Sequence, residues 1–148
     1  MEKNERELRL WSTDRYENYP ITEFDIINNY KECQRNNNFY PLTLVDKNNI
    51  IMHLIIRNPC EDLLTFRLSF IIINLYYRKQ GYGKKIINEA IEYAKKNYNA
   101  KNFNLGVFID NKNALNCYLN VGFKIIDIEK NAFKFYDEYW DCAQMVKD

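Results

Sequence analysis

The stretch FIIINLYYRKQGYGKK, residues 70–85, passes from an apolar run through a short polar turn into a basic loop punctuated by two glycines. Beyond it, Ile86, Ile87, Ala90, Ile91 and Ala94 recur at helical spacing. The order is therefore strand, loop, helix. Gly81 and Gly83 carry no Cβ, so main-chain N–H groups can converge there on an anion. The loop delivers those groups at a helix N-terminus, where the first four donors lack partners and the helix dipole favours negative charge. Arg78, Lys79, Lys84 and Lys85 add formal positive charge around it. The arrangement reads as a docking site for the pyrophosphate of a coenzyme.

Two better-known phosphate loops do not fit. A Walker A loop needs four residues between its first glycine and a Gly-Lys-Ser/Thr, whereas one residue separates Gly81 from Gly83 and Lys84 is followed by Lys85. The dinucleotide fingerprint requires a third glycine for close packing of helix on strand, and position 86 is Ile86. What remains is an RxxGxG pattern, Arg78, Gly81 and Gly83, directly after a strand.

About one strand and one turn later comes NKNALNCYLNVGF, residues 111–123. Together the two segments resemble the GNAT superfamily of N-acetyltransferases, whose acetyl-CoA loop reads Gln/Arg-x-x-Gly-x-Gly/Ala. The next helix of that family carries Asn, Ala, Tyr and a final Gly-Phe, which fall here on Asn111, Ala114, Tyr118, Gly122 and Phe123. The likeness is close over residues 63–128 and looser elsewhere. It implies an α/β fold with a mixed, mainly antiparallel central sheet flanked by helices. It also implies acetyl-CoA as co-substrate and no metal. By the same resemblance, the backbone of Ile71, Ile72 and Ile73 would hold the pantetheine arm. Arg78, Lys79, Gln80, Gly81, Tyr82, Gly83 and Lys84 would hold the pyrophosphate, and Asn111 would contact the coenzyme arm.

Composition bounds this reading. The chain has 148 residues, 47% of them hydrophobic, enough for one domain, residues 1–148, with a sizeable core and no run suited to a membrane span. A net charge of +1 with interspersed signs gives no global basic field, so nucleic acid is not an expected partner, nor is a membrane. Cys33, Cys60, Cys117 and Cys142 are widely spaced, with no CxxC and no histidine cluster, which argues against zinc or redox chemistry and for reduced thiols in a cytoplasm. The mixed-charge N-terminus has no apolar stretch of the secretory type.

Taken in order, residues 2–11 read as a helix, with Glu2 and Glu5 each four residues before an arginine. The family usually opens on a strand, so the first strand is expected to be missing and a sheet edge left open, which invites a homodimer. Thr22 starts a capping pattern before an amphipathic helix of Phe24, Ile26, Ile27, Tyr30 and Cys33. By resemblance this region walls the acceptor site, with Tyr16, Tyr19, Glu23 and Phe24 as neighbours. Strands are predicted over 39–45, 50–57 and 63–73 as a meander, then 103–109 parallel to the third, then 123–128 and 139–146. Gly106 marks a bulge or a close backbone approach, and Gly122 a left-handed helix cap.

Acetyl transfer to an amine needs the amine neutral, although a free alkyl amine has a pKa near ~10. It also needs N–H donors for the developing oxyanion and an acid for the leaving thiolate. Tyr118 matches the family tyrosine and is the candidate acid, and a local core role is the competing explanation. No carboxylate matches the glutamate that some relatives carry before the loop. His53, the one histidine, is a candidate base, directly or through water, alongside Glu23, Glu61 and Asp62 as weaker ones. Cys117 adjoins Tyr118 but diverges from it by about 100° on a helix, which argues against an acyl-cysteine. The expectation is direct acetyl transfer from acetyl-CoA to a primary amine, small molecule or peptide, in a ternary complex. The alternatives are a CoA-binding sensor without turnover and an interaction domain with a vestigial loop.

Overall fold

The computed structural model describes residues 4–35, 38–59, 64–78 and 81–148. Lys79 and Gln80 of the glycine loop, and Cys60, Glu61 and Asp62, lie outside the described residues. Along the chain come α1 (Glu5–Ser12), α2 (Glu23–Cys33), β1 (Phe39–Asp46), β2 (Asn49–Arg57), β3 (Thr65–Ile73) and a 3-10 turn at Leu75–Tyr77. They are followed by α3 (Tyr82–Tyr98), β4 (Asn102–Phe108), α4 (Lys112–Val121), β5 (Lys124–Phe135) and β6 (Glu138–Lys147). The sheet runs β1-β2-β3-β4-β6-β5, antiparallel throughout except for the parallel pair β3 and β4. Among the described residues no strand precedes α1, and β1 is an edge strand.

Helix α3 forms where its periodicity predicts it. Ile86, Ile87, Ala90, Ile91 and Ala94 are all buried, packed with Met52, Leu54, Ile56, Phe66, Leu68, Leu105 and Val107 of the sheet and with Tyr118 and Val121 of α4. Each large aliphatic side chain fully buried in this way contributes roughly 1.5–3 kcal/mol relative to exposure. Gly122 closes α4 at φ 112°, its amide donating to the carbonyls of Tyr118 and Leu119, so the left-handed cap is where the sequence puts it.

One strand departs from simple alternation. On β3 the register with β2 slips by one residue between Ile55↔Ser69 and His53↔Ile72, and Phe70 takes the bulge at φ 53°. Before the bulge Phe66 and Leu68 face α3; after it Ile71 and Ile73 do. Phe70 itself turns to the opposite face, edge-on to Trp11 of α1 at 6.2 Å between centroids.

Two expectations are corrected. The capping box of α2 is present, with Asp25 accepting from the Thr22 amide at 2.8 Å, but of the predicted apolar face Ile26, Tyr30 and Cys33 are only half-buried and Phe24 is 70% exposed. The final hairpin is also longer than 123–128 and 139–146. β5 continues to Phe135 through an irregularity after Glu129 at which Asn131 has φ 52°. The extra length lays Trp140 against Phe108, Phe133 and Phe135 with ring centroids 5.1–5.5 Å away. It also brings Tyr136 to α1, where its hydroxyl donates to Glu5 at 2.8 Å.

Candidate active site

The parallel ladder between β3 and β4 is short. It pairs Thr65–Asn102, Phe66–Phe103 and Arg67–Asn104, and then the strands part. β3 continues to Ile73 bonded to β2 on its other side, and β4 continues to Phe108 bonded to β6. The facing edges of the two strands beyond Arg67 thus carry backbone N–H and C=O groups with no ladder between them, a slot for an extended, amide-bearing chain. Ile71, Ile72 and Ile73 line it. Close packing enters at Gly106 on β4, where a Cβ would stand 2.9 Å from a terminal nitrogen of Arg67 and 3.2 Å from Cys142 Sγ.

At the open end of the slot the chain turns into α3. Asn74 caps the 3-10 turn, accepting from Tyr76 N at 3.1 Å, and Arg78 folds back so that its Nε donates to the Ile73 carbonyl at 2.8 Å. Gly81 occupies the N-cap position of α3 at φ 78° with no side-chain cap bond, so the first-turn amides, those of Tyr82, Gly83 and Lys84 included, meet no capping side chain. The two glycines do different work. Around Gly81 an added Cβ would meet nothing within 4 Å, so glycine is required there by backbone conformation alone. Gly83 is helical, and a Cβ on it would stand 2.9 Å from Cys117 Sγ; its role is close approach of α3 to α4. An open groove of about 550 Å³ runs outward along α3 past Lys84 and Lys85. Farther on it carries Glu89 and Glu92, so only its basic end suits an anion.

Helix α4 presents the other two residues of the pattern. Tyr118 is 8% exposed, edge-on to Phe123 at 6.2 Å, and its hydroxyl has no hydrogen bond among the described residues. Burial first, and the Cys117 thiol second, push its pKa above the ordinary tyrosine value, which keeps the phenol protonated. Burial also pushes the Cys117 thiol up, against a nucleophilic role. Asn111 stands at the N-cap position of α4, yet makes no side-chain cap bond. Its amide is thus not spent on the helix. Asn111→Ala is accordingly expected to leave thermal stability within about 0.5 kcal/mol of the parent while weakening acetyl-CoA several-fold by calorimetry; a loss near 1 kcal/mol, the usual cost of a cap, with unchanged affinity would reverse the assignment.

His53 lies across the sheet from Tyr118, because Met52 and Leu54 on either side of it face the core that contains Tyr118. Its Nδ1 is 2.8 Å from Thr43 Oγ1 and its Nε2 is 2.6 Å from the Tyr30 hydroxyl. Burial, then Arg15, lowers its pKa, and burial pushes Tyr30 up to about 12. Stability should therefore decline as pH falls below the free-histidine value of 6.5, since the unfolded chain binds the proton first. Urea midpoints between about pH 5 and 8 should show that slope, and His53→Gln should flatten it. Tyr16 on the same face is 5% exposed, with its hydroxyl unbonded among the described residues. Tyr19 is 40% exposed, and Glu23 is exposed on α2. Sequence reading missed Tyr30, which it counted only in an apolar stripe, and Arg15 and Arg57; an arginine within an apolar strand was the available signal for the last.

The profile of the Acetyltransferase (GNAT) family matches residues 5–123. The chain belongs to the GNAT family. That places it among acyltransferases. Among structures similar to this GNAT chain is a spermidine N-acetyltransferase from Vibrio cholerae in complex with CoA and spermine, with a TM-score of 0.76, 18% identity, and coverage of 96% of this chain and 88% of that one. Ribosomal-protein-alanine N-acetyltransferase from Brucella melitensis superposes with a TM-score of 0.70 at 17% identity over 94% and 86% of the two chains. In sequence, N-alpha-acetyltransferase 50 of Danio rerio is 36% identical over 58 residues, 39% of this chain and 34% of its own length. The match thus spans about a third of that relative. The slot between β3 and β4 and the uncapped α3 N-terminus are the GNAT features that fit a CoA arm and its pyrophosphate.

Proposed function

We propose that this GNAT chain transfers the acetyl group of acetyl-CoA directly to a primary amine in a ternary complex, as one domain acting in the cytoplasm. The observation that carries the reading is the parting of β3 from β4 beside the uncapped N-terminus of α3. When bound, acetyl-CoA supplies the activated acyl group. Backbone groups of Ile71, Ile72 and Ile73 hold the arm, and Asn111 offers its free amide to it. Arg78, Gly81, Tyr82, Gly83 and Lys84 receive the pyrophosphate, together with Lys79 and Gln80. Tyr118 keeps its proton in the ground state and donates it to the departing sulfur. On the other face His53, with both nitrogens engaged, takes the amine's proton by way of the Tyr30 hydroxyl rather than directly. The raised Cys117 pKa supports transfer without an acyl-enzyme. Oligomer formation through the open β1 edge belongs to the same reading, supported by the edge itself and by the dodecameric spermidine N-acetyltransferase of the same fold.

The test is calorimetric titration of acetyl-CoA into the purified chain, then amine-dependent thiol release across a panel of primary amines. Binding with release on at least one amine supports the reading. Binding without any release would favour a sensor, and no binding would remove the coenzyme site.

A further inference from the structure

Three guanidinium groups gather on the α1 and α2 face of the sheet, beside the bulge at Phe70. Arg57 of β2 and Arg67 of β3 are directly paired in the register, an arrangement of like charges that costs stability. Arg15, from the loop after α1, lies 4.0 Å over the Phe70 ring, and Arg57 lies 5.8 Å from the same ring. All three are half-buried. The groups seen to accept from Arg15 and Arg57 are neutral. Arg15 donates Nε to Asn29 Oδ1 and a terminal nitrogen to Cys33 Sγ at 3.5 Å. Arg57 donates Nε to Ser69 Oγ at 3.1 Å, and Arg67 donates to Asn104 Oδ1 at 3.0 Å and Gln144 Oε1 at 3.5 Å. Among the described residues, the ion pairs of the chain are made by Arg6, Arg9, Lys95 and Lys130, and none reaches Arg15 or Arg57. Both terminal nitrogens of Arg57 and one of Arg15 therefore have no protein acceptor among those residues.

We propose that Arg15 and Arg57 form a receptor for an oxyanion carried by the acceptor, so that the amine acetylated here bears a carboxylate or phosphate a few bonds from its nitrogen. Planar guanidinium forks suit either group, which they bind through paired N–H bonds, and a partly desolvated site strengthens the attraction. The Arg57 pKa is held below its usual value by burial, then by Arg67 and Arg15, the strain an anion would relieve. A polycation such as spermidine would meet the like charges of Arg15 and Arg57 at the same place. The inference rests on the acetyltransferase reading above, and it separates this chain from the polyamine enzymes that share its fold.

The experiment compares kcat/KM of the full chain, at saturating acetyl-CoA, for glycine and glutamate, for phosphoethanolamine, for glycine methyl ester and for spermidine. The expected result is a preference of at least about tenfold for an anionic amine over both the ester and spermidine; the amino-acid and amino-phosphate arms tell carboxylate from phosphate. Arg57→Gln should raise KM for the preferred anionic amine about tenfold or more, leave the ester unaffected, and keep acetyl-CoA affinity, with Arg57→Lys recovering part of the loss. Preference for spermidine or the ester, in the parent chain alone, would overturn the oxyanion site while leaving the acetyltransferase in place. An equal effect of Arg57→Gln on acid and ester would do the same. Silence across all amines, or no coenzyme binding, would overturn the acetyltransferase reading and this inference with it.

Discussion

Replacing Tyr118 by phenylalanine is expected to lower kcat for amine acetylation by about 10²–10⁴-fold, the usual contribution of a positioned general acid, with acetyl-CoA affinity and folding stability nearly unchanged. The second half follows from the hydroxyl's surroundings. It has no hydrogen bond among the described residues, while the ring is packed against Phe123, so phenylalanine keeps the packing and loses only the proton. The pH dependence carries its own signature. Because the folded pKa is raised, the acid stays loaded throughout the neutral and mildly alkaline range, and the rate should show no descending limb from this group below its ordinary value of 10.0. Stability behaves in the matching sense: the contribution of Tyr118 is full below 10.0 and is lost as pH rises beyond it, because the unfolded chain ionises first. Steady-state thiol release and urea denaturation of parent and variant check all of this. A variant that loses stability yet retains kcat would make Tyr118 a core residue and nothing more.

The second large effect is structural. Trp140→Ala should destabilise the chain by about 3–5 kcal/mol, which for a domain of this size is a fall in Tm of roughly 6–20 °C. Trp140 is 1% exposed and joins four parts of the molecule. Phe108 at the end of β4 lies 5.2 Å away, Phe133 and Phe135 of β5 flank it at 5.5 and 5.1 Å, and the Arg6 guanidinium of α1 sits 5.0 Å over its ring. Arg6 also pairs with Glu138 beside it. Since Phe108 ends the strand that bounds the slot, the same truncation should loosen acetyl-CoA as well as the fold. Scanning calorimetry with and without the coenzyme measures both, and a loss under about 1 kcal/mol would show that the hairpin does not hold the N-terminal helix in place. Trp140→Phe should cost far less.

Much of this was written in the residue pattern. The spacing of Ile86, Ile87, Ala90, Ile91 and Ala94 placed α3 and its buried face, and Asn111 to Phe123 placed α4 between a bare N-cap and a left-handed glycine. These are short-range signals, each confined to a few turns. What escaped depends on partners far along the chain. The apolar stripe of α2 is real, but no element among the described residues covers Phe24, and periodicity describes a face without saying what lies opposite it. The far half of β5 lies beyond the predicted end at Ile128 because Glu129, Lys130 and Asn131 break the apolar pattern, whereas Asp141 accepts from the Asn131 amide at 2.9 Å and from Lys130 at 3.1 Å and keeps the hairpin running. Gly83 was assigned to the phosphate, and its contact with Cys117 34 positions away could not be read from the loop. The arginine cluster is of the same kind, since only the register sets Arg57 against Arg67.

The bulge at Phe70 fixes how this segment tolerates change. It acts on β3 as an inserted letter acts on a reading frame: everything upstream keeps its sense and everything downstream is read one place over. Ile71 and Ile73 pack toward α3 only because one extra residue precedes them, and a strand of period two would otherwise offer Ile72 there instead. Substitutions at position 70 alter one side chain and leave the frame intact. Deleting Phe70 would take the extra letter out again: the register with β2 would become continuous, Ile71 and Ile73 would stay on the face toward α3, and what would vanish is the side chain that meets Trp11 edge-on.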